Sequence, residues 1–185
     1  MVVTYGPTSQ DNQQSIDGSI RNYSLKMLSS FIMVGEQIGI AKFYLKYRSG
    51  YPQPSGTMYA TIYNDSGSIR STSEGVAMST TTDSFAWYEF CFTSRPTISA
   101  DDYVSFTASY DSAPGTTYGW LDVGRDSTGA GSDVELWLGG SGSPDDILQE
   151  SSGRQPTLEL TTDTCAPVPG AGGTLLPPPV AWVNV

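Results

Sequence analysis

The sequence predicts an all-β fold, an antiparallel jelly-roll-like β-sandwich with extended N- and C-terminal arms, and three observations predict it. Residues 41–47, 57–63 and 103–110 alternate apolar and polar side chains with the two-residue period of a half-buried strand. Clusters of Gly, Asn, Asp, Ser and Pro punctuate the chain at short intervals, as in sandwiches and barrels. No stretch holds a helical period, and a composition rich in Ser, Thr, Gly and Tyr but poor in Leu, Lys and Glu favours strand and turn. At 185 residues the chain suits one domain plus appendages. A domain of that size buries roughly 70% of its unfolded surface, so it needs neither disulfide nor metal to fold.

Residues 1–19 read as an N-terminal arm. A short β-like piece, Val2-Val3-Thr4-Tyr5, is broken by Gly6-Pro7. The polar run from Thr8 to Ser15 has too few apolar residues to fold by itself. The sandwich domain spans 20–164. Its first part, 20–34, mixes Tyr23, Leu25, Met27, Leu28, Phe31 and Met33 into one or two strands broken near 26–29. Over 41–47 one face is Ala41, Phe43, Leu45 and Tyr47, and the other is Lys42, Tyr44 and Lys46. Over 57–63, Met58, Ala60 and Ile62 alternate with Tyr59, Thr61 and Tyr63, and Asn64-Asp65-Ser66-Gly67 has turn chemistry. Weaker strands follow near Ile69 and 76–78. Residues 84–93 then place Tyr88, Phe90 and Phe92 on one face and Trp87, Glu89 and Cys91 on the other. This long aromatic stretch reads as the central strand of the sandwich, with its mixed row toward solvent, a tail or a partner. Strands at 103–110, 118–123, 134–138 and 157–161 complete about nine. The expected core is Phe43, Leu45, Met58, Ile62, Tyr88, Phe90, Phe92, Val104 and Phe106.

The run FYLKYRSG, a loop, GTMYATIYND, SIRSTSEGV and FAWYEFCFTSRPTISADDYVSFTASY resembles a jelly-roll module of bacterial and archaeal surface proteins and of phage structural proteins. In surface proteins that module often sits beside carbohydrate-binding or anchoring domains. The resemblance covers roughly 38–160 and implies a non-enzymatic display or binding domain. It supplies no ligand residues to carry over.

Residues 165–185 read as a C-terminal arm. Cys165-Ala166-Pro167-Val168-Pro169 and Gly170-Ala171-Gly172-Gly173 form an extended linker. Leu175, Leu176 and three prolines lead to an apolar end, Val180-Ala181-Trp182-Val183-Asn184-Val185. Leu175, Leu176, Val180, Trp182 and Val183 would be wet if the arm were free. They are expected either to fold back on the body or to dock on a neighbouring subunit as an added strand.

Net charge is −10, with three lysines, six scattered arginines and no histidine. Nucleic-acid binding rests on clustered cations, so no direct nucleic-acid partner is expected. Lack of histidine excludes the usual catalytic triads, His-bearing zinc sites and imidazole acid–base chemistry. Glu74, Glu89, Glu135, Asp122 and Asp133 could in principle form a glycosidase pair, but scattered strand acids ordinarily make solvated faces. The expectation is therefore no enzyme, no catalytic residue and no cofactor. Structural calcium has weak candidates in Asp122, Asp126 and Asp133, or in Asp101 and Asp102, without the D-x-D-x-D-G pattern. Cys91 and Cys165 either bond, pinning the tail to the aromatic strand, or stay free thiols.

Tyr44, Tyr59, Tyr63, Trp87, Trp120 and Trp137 are outward aromatics suited either to stacking on glycans or to packing against a tail or partner. Asn22-Tyr23-Ser24 and Asn64-Asp65-Ser66 fit the N-glycosylation pattern. The N-terminus shows no signal-peptide pattern, and no stretch reaches transmembrane length. Two readings follow. The first is a structural protein of a virus or phage particle, a decoration, turret or fibre-type subunit. It would be made in the host cytoplasm, sit on the virion surface, and assemble through its arms with copies of itself or another virion protein. The second is an extracellular carbohydrate-binding or adhesive module, or a surface-appendage subunit.

Overall fold

The computed structural model describes residues 2–6, 10, 12–16, 22–112, 114–115, 118–126, 134–139, 147–149 and 155–165, with backbone alone for 126, 136–139, 147–149 and 155. Two antiparallel sheets account for nearly all regular structure among them. Sheet I holds β1 (Thr4–Tyr5), β2 (Asn12–Ile16), β4 (Ile40–Tyr47), β8 (Ala86–Cys91), β10 (Leu121–Asp126), β13 (Gln155–Pro156) and β14 (Leu158–Thr161). Sheet II holds β3 (Asn22–Met27), β5 (Gly56–Tyr63), β6 (Ile69–Thr72), β7 (Val76–Ala77), β9 (Tyr103–Tyr110), β11 (Val134–Gly139) and β12 (Ile147–Gln149). The described helix is one 3-10 turn, Met78–Thr80.

The chain changes sheet at β2–β3, β3–β4, β4–β5, β7–β8, β8–β9, β9–β10, β10–β11 and β12–β13. This repeated crossing joins the two layers into one β-sandwich. Inward rows from both layers make one core. Phe43 and Phe90 from sheet I meet Phe106 from sheet II edge to face, with ring centroids 5.7 Å (Phe43–Phe90), 5.5 Å (Phe43–Phe106) and 6.0 Å (Phe90–Phe106) apart. Leu45, Met58, Ile62 and Val104 are fully buried around them, and Phe92 lies beside them. Tyr88 is the partial exception: it packs against this core only partly buried. Its hydroxyl instead accepts the Thr82 N–H (3.1 Å) and donates to the Thr80 carbonyl (3.3 Å).

Two expectations change. The stretch read as the central strand lies at the side of sheet I: β8 pairs with β4 alone among the described residues. Its aromatic row reports which face is buried, not how many lateral neighbours a strand has. The polar N-terminal run also does not stand apart as an arm. β2 pairs with β10 from Ile16↔Leu121 to Asn12↔Arg125, and Ile16 is fully buried, so the body begins before residue 20. A segment with one core side chain holds there because β10 supplies the hydrogen-bonding edge. β1 likewise pairs with β14.

The segment 28–39 closes one end of the sandwich. Phe31, Met33 and Ile38 are buried, and backbone bonds Gly35 N–H to Ile98 O and Ile98 N–H to Glu36 O, both 2.9 Å, tie it to the turn before β9.

Candidate functional site

Side chains and peptide groups alternate together along a strand, so pairing β4 with β8 fixes the outer face of sheet I. The register sets Lys42 opposite Glu89 and Tyr44 opposite Trp87, all turned away from the core. Tyr44 stacks on Phe85, just before β8, with centroids 5.2 Å apart and planes at 17°, and Trp87 lies 5.1 Å from Tyr44. The Lys46 ammonium sits 4.7 Å over the Phe85 ring. Trp87 is 43% exposed, whereas Tyr44 and Phe85 are half-buried. Gly124 on β10 makes room for this platform: a Cβ there would come within 3.2 Å of Tyr44 Cδ1.

Charged groups flank the rings. Lys42 bridges Glu89 (3.2 Å) and Glu159 on β14 (3.1 Å). The hydrogen bond to Glu159, then that to Glu89, holds the Lys42 ammonium above the ordinary lysine range against the opposing effect of burial. Beyond Lys46, Arg48 Nε contacts Asp122 Oδ2 at 3.4 Å while its guanidinium lies 5.0 Å over Trp120, which packs 4.5 Å from Tyr51.

Asp122 is wholly buried on this face. It accepts hydrogen bonds from Ser15 Oγ (2.8 Å) and Gln13 Nε2 (3.1 Å) besides the Arg48 contact. Three protein groups thus hold its carboxylate, the arrangement of a structural tie between β10, β2 and Arg48. Asp126 shows only its backbone on β10, and Asp133 lies outside the described residues. Asp101 pairs with Lys26 and Asp102 with Arg70. Among the described residues no three His, Cys, Asp or Glu side chains gather as a metal would require.

The other outward aromatics are dispersed. Tyr63, expected outside, is 2% exposed at the end of β5, where burial pushes its hydroxyl pKa up beside Thr107 and Asn22. At that burial it offers no ring to a glycan. Tyr59 is half-buried, and Gly75 approaches so closely that a Cβ there would lie 3.0 Å from Tyr59 Cε1. Trp137 pairs with Ser24 across β11 and β3, its side chain outside the described residues. Asn22 is fully buried in β3, which removes it as a glycan acceptor, and Asn64 caps its own turn by accepting the Ser68 N–H at 2.8 Å.

Cys91, on the outward row of β8, is disulfide-bonded to Cys165, with Cα atoms 5.7 Å apart across 74 residues of sequence. The segment after β14 is held from several sides. Gly39 donates to the Thr161 carbonyl (3.1 Å), Arg95 to the Thr162 carbonyl (2.8 Å), and Val3 to Thr162 Oγ1 (3.0 Å). A Cβ on Gly39 would collide with the Asp163 backbone at 1.8 Å, so glycine is required by the close approach. The arm candidates Leu175, Leu176, Val180, Trp182 and Val183 lie outside the described residues.

Sequence reasoning placed Tyr44, Trp87 and Cys91 on the outward face but missed Phe85, whose two-residue spacing from Trp87 was the available signal. Arg48 and Asp122, 74 positions apart, carried no signal of pairing. No protein-family model, curated protein or solved structure matches the chain.

Proposed function

We propose that the chain is a non-enzymatic structural subunit of a virus or phage particle that assembles with other copies through its C-terminal arm. The observation that carries this reading is the Cys91–Cys165 disulfide, which fixes the root of the arm to the side of sheet I. A tail serving only as a flexible extension needs no such anchor, whereas one that transmits binding to the body does. Structural disulfides suit oxidising surroundings, of which a virion surface is one. The apolar end of the arm, with Trp182 as its largest side chain, supplies an anchor for a pocket or edge on a neighbour.

The test is the oligomeric state of the full-length chain across a concentration series. Self-association is expected, and Trp182→Ala should weaken it by about 2 kcal/mol or more, roughly 30-fold, with the melting transition nearly unchanged. A native monomer at high concentration, together with a mutant that melts earlier, would place the arm on its own body and remove the reading.

A second reading, glycan binding, is favoured by the platform of Tyr44, Phe85 and Trp87 with Lys46 at its rim. Aromatic faces stack on the C–H faces of pyranoses while adjacent charges meet polar substituents. Under this reading Trp87→Ala removes binding across a glycan array with the fold intact. Equal array signals from mutant and native protein would sink it.

A further inference from the structure

We propose that the outward edge of β8 is the acceptor for residues 180–185 of a second copy of this chain, which add to sheet I as a further strand; the inference rests on the arm-mediated assembly proposed above. The direction of the peptide groups points to the edge. Phe92 donates its N–H to the Gly39 carbonyl (2.8 Å), which continues the β4–β8 register and turns the peptide groups of Ala86, Tyr88 and Phe90 toward β4. Those of Trp87, Glu89 and Cys91 must then point away. Glu74 N–H takes the Cys91 carbonyl at 2.8 Å. The amides and carbonyls of Trp87 and Glu89 have no strand partner among the described residues, since β8 pairs with β4 alone.

Exposed edges are ordinarily guarded by proline, lysine or a bulge. β8 reads AWYEFC and pairs with β4 in unbroken register, so it has no proline, lysine or bulge; Glu89 is its one charge, and Glu74 covers it only at Cys91. The arm presents a matching strand. Pro177, Pro178 and Pro179 donate no hydrogen bonds, so pairing begins at Val180 and is directed at the Trp87 and Glu89 part of the edge. In an added strand Ala181, Val183 and Val185 form a wholly apolar row that extends the inner layer beside Tyr88 and Phe90. Trp182 then falls on the outer row with Trp87 and Glu89.

The arm-mediated assembly proposed above makes a second copy the source of the added strand. The arm leaves Cys165 beside Cys91, at the C-terminal end of β8. Residues 166–179 include Pro167 and Pro169 as well as the three later prolines. At a full extension of about 3.1 Å per residue a linker of this length has a reach of roughly 40 Å, enough to pass to a neighbouring molecule.

Amide hydrogen exchange on the full-length protein, across concentrations that span monomer and assembly, tests this directly. The amides of Trp87 and Glu89 should exchange freely at low concentration and gain roughly tenfold or more protection on assembly. Trp182→Ala at the same concentration should lose that protection. If the native protein assembles through Trp182 while these two amides stay unprotected, the acceptor assignment is wrong and the arm reading survives. Protection in the monomer, independent of concentration, overturns docking on a second copy, and failure to assemble at any concentration overturns both. Glu89→Pro is a second probe, because it deletes an outward N–H and none of the bonds to β4. With its melting transition intact, it should fail to assemble; assembly at native concentrations overturns the proposal.

Discussion

Phe90→Ala is expected to cost about 3–5 kcal/mol of folding stability, the range for truncating a fully buried aromatic side chain. Phe90 is 0% exposed and lies edge-on to both Phe43 and Phe106, one on its own sheet and one across the core. Its removal therefore leaves a void where the two layers meet, and neither neighbouring strand can close it without breaking register. Urea denaturation should show the midpoint lowered by about 2 M at an m-value near 2 kcal/mol/M. A change of less than about 1 kcal/mol would mean that Phe90 is not part of a close-packed junction.

Loss of the disulfide should have the next largest effect. Cys91 and Cys165 are 74 positions apart, and the loop-entropy relation gives about 4.5 kcal/mol for a ring of that size, with about 2–4 kcal/mol the usual experience. Cys91→Ser and reduced native protein should both melt well below the oxidised protein and close to one another. Thiol labelling of the denatured, unreduced chain should modify neither cysteine. Equal melting with and without reductant would show that the bond adds nothing to the fold.

Faces were legible in the sequence where strands have one dry side. Phe43, Met58 and Phe106 all lie inward as their alternation predicts, because burial acts on each strand locally. Lateral order was not legible. The sequence of β8 is as aromatic as a central strand because its inner row fills the junction with Phe106, yet nothing in that row records whether a strand lies beyond it. β2 was illegible for the opposite reason. Gln13 and Ser15 read as solvated polar residues, and their role as donors to Asp122 depends on a partner more than a hundred residues away. The outer platform was half legible: alternation gave Tyr44 and Trp87, whereas the stacking of Phe85 required the register that brings the start of β8 to the end of β4.

The tie between Cys91 and Cys165 also determines how the molecule would bear mechanical load. Tension on the C-terminal arm would, without that bond, act first on β14 at its Thr161 end and peel it from β4 one rung at a time, the weakest way to pull a strand. With the bond in place, force passes from Cys165 through sulfur into β8 at its Cys91 end, which is held to β4 by a six-residue pairing where β14 has four residues. β14 is bypassed and the load enters the body at the strand that carries Phe90. A chain pulled by this arm would have to break the longer β8–β4 pairing before its last strand came under load.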